Sequence, residues 1–136
     1  MRAEGTPAQK AKEKQKIKHV GVTNFDTERV KIMTESGFKP ISNQVQYSIL
    51  DQRAEKLMVP FCEKHEIKIL AYGTLLGGFF SEKYLRTDEP TRIDLDTASL
   101  QKYYNMIQEW SGWKLFQELL ETLETISKKH DCSIAN

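Results

Sequence analysis

Three short segments that are predicted to form strands, the first two each followed by a helix-like stretch, constrain the fold of this chain most strongly. They cover residues 17–22, 42–47 and 67–72. Short β-branched runs bounded by glycine or polar residues predict strands. Strands that alternate with helices at this spacing indicate βαβ units, whose right-handed crossovers place consecutive strands side by side in a parallel sheet.

Two helices are expected between these strands. Asp26 or Thr27 can cap the first helix, and Gly37 is placed to end it. The second helix is expected over about residues 52–65 and contains Pro60, which predicts a kink or a late start because proline has no amide hydrogen. The side chains expected to face the core are Val30 and Met33, with Ile32 as a further candidate, and Leu57, Met58, Phe61 and Cys62.

The alternation of strands and helices stops after the third strand. Residues 73–97 form a long, charged connection, and a connection of that length is usually functional or flexible. Two helices are expected after it, over about residues 99–110 and 113–130. In the second, the apolar residues predicted to face the core recur at steps of three and four: Phe116, Leu119, Leu120, Leu123 and Ile126. An aromatic cofactor box of Trp110, Trp113 and Phe116 is the alternative interpretation.

Charge and composition exclude several classes of function. The net charge of +1 at pH 7 provides no long-range field for nucleic acid or an anionic membrane. No apolar run approaches the ~20 residues that span a bilayer. Residues 1–16 are polar, with alternating Lys and Glu, and are expected to form a disordered tail. Cys62 and Cys132 lie far apart, and we expect a reduced, cytoplasmic protein.

Several common ligand motifs do not fit. Residues 73–78 read GTLLGG, but Phe79 and Phe80 follow where a phosphate-binding loop needs Lys and Ser or Thr. The three histidines lie on different predicted elements, so no metal site is predicted. Asp94 and Asp96 are interpreted as solvated loop carboxylates.

A more specific pattern lies at the carboxyl ends of the three predicted strands. Residues 21–25 read GVTNF, residues 43–48 read NQVQYS and residues 71–75 read AYGTL. In order and spacing, these segments resemble three signatures of the aldo-keto reductase family, which are close to G-V-S-N-F, N-Q-x-x-Y and a-Y-s-p-L. The resemblance implies strands five, six and seven of a (β/α)8 TIM barrel.

The resemblance also implies which residues bind the nicotinamide of NADP. Thr23 and Asn24 match the pair that hydrogen-bonds the carboxamide, and Gln44 matches the glutamine on its other side. Tyr72 matches the aromatic residue on which the nicotinamide ring stacks. These residue types suit the task, because a primary carboxamide offers both donors and an acceptor, and a flat aromatic ring can cover one face of the nicotinamide.

Leu75 and Gly77, with neighbouring backbone, match the loop that runs along the cofactor pyrophosphate. Glycine allows a backbone to approach a phosphate closely. The segment that would read the adenosine 2′-phosphate has no counterpart in the chain, so the choice between NADP and NAD stays open.

The same resemblance implies that the catalytic residues lie elsewhere. In this family an Asp, a Tyr, a Lys and a His from the first four strands reduce the carbonyl, and residues 1–16 cannot encode those strands. A complete barrel needs about 250 residues, and this chain has 136. We therefore expect residues 17–136 to form a truncated reductase domain: a partial barrel of about three β/α units with extra C-terminal helices, without catalytic residues and inactive alone.

Two other interpretations stay open. The chain could be a non-catalytic module that binds nicotinamide or docks a partner, as some family members serve as channel-associated subunits, or an α/β domain without a ligand. A completed enzyme would act on a small-molecule carbonyl substrate. A partial barrel exposes two sheet edges, which predicts self-association through them.

Overall fold

The computed structural model describes residues 7, 10, 11 and 16–136, so the predicted tail lies almost wholly outside the described residues. Those residues form two compact units. The first comprises the chain up to Tyr47 together with Asp51–Tyr72, and the second comprises Ser48–Leu50 and Gly73–Asn136. Within residues 16–136 the elements are β1 (Gly21–Thr23), α1 (Thr27–Glu35), β2 (Ser42–Gln46), α2 (Met58–Lys64), β3 (Lys68–Tyr72), two 3₁₀ turns (Leu76–Gly78 and Glu82–Tyr84), α3 (Ala98–Trp110) and α4 (Gly112–Lys129).

The first unit contains a parallel sheet with the strand order β1-β2-β3, which confirms the predicted βαβ arrangement. Thr23 lies opposite Gln44, and Gln46 lies opposite Tyr72. β1 begins four residues later than predicted. Among the backbone hydrogen bonds of the described residues, residues 17–20 contact the sheet through the Val20 carbonyl, which accepts from the Ile41 amide at 2.9 Å. The chain therefore has an α/β fold, with a small parallel sheet and four α-helices within residues 16–136.

Helix α1 begins and ends where the local sequence predicts. The Asp26 side chain caps it by accepting a hydrogen bond from the Arg29 amide at 2.8 Å. Gly37 follows the helix with φ at 83°, in the left-handed region that glycine adopts readily. Val30 is fully buried, but the candidate Ile32 is exposed. Two residues along a helix are about 200° around its axis, so Ile32 points away from the face that Val30 buries.

Helix α2 starts late, which confirms one of the two outcomes expected from Pro60. The proline lies in the first turn, where its missing amide hydrogen costs nothing. Met58 and Cys62, one turn apart, are buried as predicted. The prediction for Leu57 is wrong: its side chain is 69% exposed, because this residue precedes the helix with an extended φ of −128°. The core of the first unit consists of Val30, Met58, Cys62 and Ile67.

The second unit has a core built from α3, α4 and the connection that precedes them. Phe79 and Phe80 of the connection are buried against Phe116 of α4, with ring centroids 6.3 and 5.6 Å from it. Trp113 joins the same cluster and donates to the Thr87 carbonyl at 3.1 Å, so these aromatic rings serve as core. The buried members of this core are Leu76, Phe79, Phe80, Leu95, Tyr103, Ile107, Trp113, Phe116, Leu120 and Ile134.

Ile126 does not reach this core, contrary to the prediction. Ser127 is buried instead, because it lies seven residues after Leu120 and therefore on nearly the same side of α4. Ile126 is displaced by about 100° around the helix and is exposed. In the part of the chain that the structure describes, no helix is both long and apolar enough to cross a membrane.

Candidate functional site

Four of the six predicted cofactor-binding residues lie at one edge of the sheet in the first unit. Because the strands are parallel and in consecutive order, their carboxyl ends meet at the same edge. Thr23 and Gln44 are register partners on neighbouring strands and are both exposed. Tyr72 ends β3 on the same side of the pleat as Gln44, since residues two apart share a face. The opposite face carries Asn43 and Val45, which are buried.

Asn24 links these residues through two hydrogen bonds. Its backbone amide donates to the Gln44 carbonyl at 2.8 Å, which extends the ladder beyond β1. Its side-chain Oδ1 accepts from the Tyr72 hydroxyl at 2.9 Å, across 48 residues of sequence. The backbone of Asn24 is left-handed, with φ at 56°, a conformation that asparagine tolerates better than most residues. Asn24 thus holds the ends of all three strands together.

Asn43 supports this edge from the buried side of the sheet, a role that the sequence reasoning missed. Its Nδ2 donates to the Phe25 carbonyl at 2.9 Å and lies 3.5 Å from the Met58 sulfur. Its Oδ1 has no hydrogen-bond partner among the described residues. Burial of an amide group without hydrogen-bond partners costs free energy, so the hydrogen bond from Asn43 to the Phe25 carbonyl is favoured. This hydrogen bond constrains the turn that carries Asn24. The motif N-Q already contained Asn43, but sequence alone did not show that its side chain points inward.

A cleft of about 370 Å³ opens beside Asn24 and Tyr72. Its volume falls in the range of small-molecule sites, about 300 to 1,000 Å³. Polar and apolar groups share the lining, which suits an amphipathic ligand. The lining residues are Asn24, Phe25, Asp26, Thr27, Val45, Gln46, Arg53, Ala54, Leu57, Met58 and Tyr72.

An ion pair between the buried Asp51 and the exposed Arg53 lies next to this cleft and was also missed. Asp51 is only 3% exposed, and its two carboxylate oxygens accept from Nε and Nη2 of Arg53, each at 2.7 Å. Gln46 donates to the same carboxylate at 2.9 Å. The hydrogen bonds from Arg53 lower the pKa of Asp51, so this carboxylate stays ionised. The pattern Asp-x-Arg is common in loops, so the sequence did not indicate the contact between Asp51 and Arg53.

The two remaining predicted residues, Leu75 and Gly77, belong to the second unit. Leu75 is exposed, and its carbonyl accepts from the amides of Gly78 at 2.9 Å and Phe80 at 3.2 Å. Leu76 and Gly77 are both left-handed, with φ at 51° and 65°, so the loop folds tightly back on itself. The turn leaves Leu75 and Gly77 at the surface while it buries Leu76.

The tyrosines with a shifted pKa are poor proton donors. Tyr47 donates to Glu55, and this bond raises the pKa of Tyr47. Tyr104 donates to Glu89 at 2.6 Å, which raises its pKa in the same way. Each carboxylate stabilises the protonated phenol, the opposite of what a proton-donating tyrosine requires.

The acidic groups of the loops do not assemble into a metal centre. Within residues 16–136 and the three described residues before them, no group of three or more His, Cys, Asp or Glu could hold a metal ion. Asp94 instead accepts from the amide and the hydroxyl of Thr91, at 2.8 and 2.7 Å, and these bonds lower its pKa. It therefore closes a local turn on the surface.

Comparison with known sequences adds a family assignment. The sequence model of the aldo/keto reductase family matches residues 8–136. Flagellar radial spoke protein 5 of Chlamydomonas reinhardtii is 32% identical over 120 residues, which cover 87% of this chain and 23% of that protein. Aldose reductase C of Dictyostelium discoideum is 36% identical over 75 residues, or 52% of this chain and 23% of the relative.

A third relative is the NADH-specific methylglyoxal reductase of Escherichia coli (strain K12). It is 25% identical over 100 residues, which cover 70% of this chain and 30% of the enzyme. The chain thus spans less than a third of the length of each of these three relatives.

Proposed function

Because the chain belongs to the aldo/keto reductase family, we propose that the carboxyl-terminal edge of its sheet binds the nicotinamide of NADPH in a protein that reduces an aldehyde or a ketone. In this proposal β1, β2 and β3 are consecutive strands of a (β/α)8 barrel. Barrel enzymes carry their active sites at the carboxyl ends of the strands, where Thr23, Asn24, Gln44 and Tyr72 lie.

The hydrogen bond between Tyr72 and Asn24 is the observation that supports this proposal most directly. It restrains the tyrosine ring and the asparagine amide relative to each other before any ligand binds. A nicotinamide requires that combination, because its ring needs a flat apolar surface and its carboxamide needs a fixed donor and acceptor. Thr23 and Gln44, side by side in the sheet, would complete the polar half of the site.

NADPH is the proposed cofactor, and NADH is the competitor. The name of one relative, the NADH-specific methylglyoxal reductase, specifies the other nicotinamide. Thr23, Asn24, Gln44 and Tyr72 would contact only the nicotinamide, which the two cofactors share. Parallel titrations with NADPH and NADH therefore measure whether the chain itself contributes to the choice.

We propose further that this chain does not reduce carbonyls by itself. Carbonyl reduction places negative charge on the oxygen and needs a general acid close by. Glutamates raise the pKa of Tyr47 and of Tyr104, which makes both poorer acids. The hydroxyl of Tyr72 donates a hydrogen bond to Oδ1 of Asn24. We propose that the proton comes from a residue outside this segment.

The first test is a titration of the purified chain with NADPH, followed by quenching of intrinsic fluorescence and by the melting temperature. We expect saturable quenching and a rise in melting temperature for the unaltered chain. Tyr72→Ala removes the stacking surface and should weaken binding about tenfold or more, since an aromatic pair contributes about 0.5 to 1.5 kcal/mol beyond the area it buries. Tyr72→Phe keeps the aromatic ring and should lose much less affinity for NADPH.

Tyr47→Ala is the matched control for that titration. Tyr47 follows β2 but lies on a different groove, lined by Val59, Ile67 and Ile69, so its loss should leave the NADPH affinity within about twofold. The proposal fails if the unaltered chain neither quenches nor gains thermal stability. It also fails if Tyr72→Ala and Tyr47→Ala bind equally well.

A second candidate function, a non-catalytic module that docks a partner, is suggested by one relative whose name specifies a flagellar radial spoke and not a reductase. Flagellar radial spoke protein 5 aligns with 87% of this chain, a larger share than either named reductase covers. A chimera separates the two functions: this chain replaces the matching stretch of Aldose reductase C. NADPH-dependent reduction of benzaldehyde by the chimera supports the enzyme, and cofactor binding without reduction supports the module.

A further inference from the structure

The loop that carries Leu75 and Gly77 has a tightly hydrogen-bonded backbone with two left-handed glycines. Gly73 has φ at 68° and Gly77 has φ at 65°, both in the left-handed region. The Leu76 amide donates to the Gly73 carbonyl at 3.0 Å, and the Gly78 amide donates to the Leu75 carbonyl at 2.9 Å. Such a loop needs outside support to hold one conformation, since glycine has the largest backbone freedom of any residue.

Tyr103 of α3 provides that support from within the second unit. Its side chain is 6% exposed and belongs to the same core as Leu76. A Cβ placed on Gly73 would lie 2.4 Å from the Tyr103 Oη and 3.1 Å from its Cε1 and Cζ. A Cβ placed on Gly77 would lie 2.8 Å from Cδ2 of the same ring. The tyrosine ring therefore occupies the space that side chains at both positions would need.

The sequence of the loop is consistent with this close packing. The family signature a-Y-s-p-L has serine and proline where this chain has Gly73 and Thr74. A serine at position 73 would collide with Tyr103, and without the proline ring the loop loses a fixed φ angle.

We infer that Tyr103 is a positioning residue for the proposed cofactor loop. It holds the backbone of residues 73–77 in the conformation that presents Leu75 and Gly77 to the pyrophosphate. The affinity for the cofactor then depends on the buried side chain of Tyr103 in α3, because this side chain preorganises the loop for binding. This inference rests on the proposed function, because the loop has that ligand only if the chain binds NADPH.

The first experiment compares Tyr103→Leu with Tyr104→Leu in the 136-residue chain. Tyr104 is the neighbouring residue of α3, and its hydroxyl contacts Glu89, which is outside the loop. Tyr103→Leu should speed hydrogen exchange at the amides of Leu76 and Gly78 and weaken NADPH binding about tenfold, through the lost preorganisation. Tyr104→Leu should change neither quantity by more than about twofold.

A double-mutant cycle tests the contact itself and uses a variant that keeps the core filled. Tyr103→Phe removes Oη, the atom nearest to a Cβ at position 73, and retains the ring. Gly73→Ala should weaken NADPH binding about tenfold or more in the unaltered background, and clearly less in the Tyr103→Phe background. The strain of a left-handed alanine is the same in both backgrounds, so the cycle cancels it.

The outcomes separate this inference from the proposed function. If the unaltered chain does not bind NADPH, the proposed function fails and the inference fails with it. If the chain binds NADPH while Gly73→Ala has equal effects in both backgrounds, Tyr103 does not position the loop and the proposed function stands. If Tyr103→Leu does not fold, the Tyr103→Phe cycle decides the question.

Discussion

Asn24 satisfies a backbone requirement and a side-chain requirement at the same position. The chain must turn into the left-handed region directly after β1, a conformation that is energetically unfavourable for most residues with a Cβ. The side chain must also present an oxygen to the Tyr72 hydroxyl. Asparagine meets both conditions because its short amide tolerates the left-handed region, whereas glycine would meet only the first.

Two substitutions separate these roles of Asn24. Asn24→Ala and Asn24→Gly both remove the amide, so both should raise the Kd for NADPH roughly two- to tenfold, the effect of losing one hydrogen bond. Only alanine keeps a Cβ in the left-handed region, so its free energy of unfolding should be about 1 kcal/mol lower than that of the glycine variant. Denaturant titrations measure the stability difference. Equal stabilities, or NADPH binding by Asn24→Gly as tight as that of the unaltered chain, would contradict this assignment.

At the scale of elements, the long connection after β3 is anchored to α4 by an ionic network. The Arg86 amide donates to the Gln117 side chain at 2.7 Å, and the Arg86 guanidinium pairs with Glu124. Lys128 contacts Oε1 of the same carboxylate at 2.9 Å. The hydrogen bond from Arg86, followed by that from Lys128, lowers the pKa of Glu124 to about 2. The connection therefore contacts α4 through the charged side chain of Arg86 as well as through Phe79 and Phe80.

This network predicts a specific acid response. The pKa of Glu124 is lower in the folded chain than its ordinary value of 4.5, so protonation favours the unfolded state. The stabilisation is complete above about pH 4.5 and is lost as the pH falls towards about 2. Glu124→Gln should flatten the acid unfolding curve in that interval, measured by near-ultraviolet circular dichroism. Glu118→Gln on the same helix is the control, and identical curves for Glu124→Gln and the unaltered chain would refute the prediction.

At the scale of the whole molecule, the sheet of the first unit has unpaired edges. Among the described residues, β1 and β3 each pair only with β2, so each presents one free row of backbone groups. The sheet face that carries Thr23 and Gln44 also carries Leu70, which is 51% exposed. We propose that a second copy of the chain, or the remaining strands of a barrel, covers these surfaces.

Self-association of the purified chain follows from that proposal. Sedimentation velocity should show an average mass that rises with concentration. Leu70→Lys introduces a charge on the exposed sheet face and should weaken association about tenfold or more, given that burying a leucine contributes about 1.5 to 3 kcal/mol. Ile93→Lys replaces an exposed apolar residue in a loop of the second unit and should have no effect. A monomer at all concentrations would refute this prediction.

Short-range chemistry in the sequence determined much of the fold and part of the site. The Asp26 cap, the Gly37 helix end and the late start at Pro60 were all predictable, because each depends on hydrogen bonds within one turn of the chain. The strand order followed from the βαβ spacing. The strand-end motifs identified the family. They also predicted that Thr23, Gln44 and Tyr72 lie at one edge of the sheet, because the order of the motifs along parallel strands implies a common edge.

The tertiary structure alone decided which side chains meet over long distances. The exposure of Leu57 and Ile126 depended on where each helix begins and on which face finds a neighbour. The bond between Tyr72 and Asn24 joins residues 48 apart, and the packing of Tyr103 on Gly73 joins two separate elements. Local propensity carries no information about such contacts, because they exist only after the chain has packed and each side chain has a defined position in space.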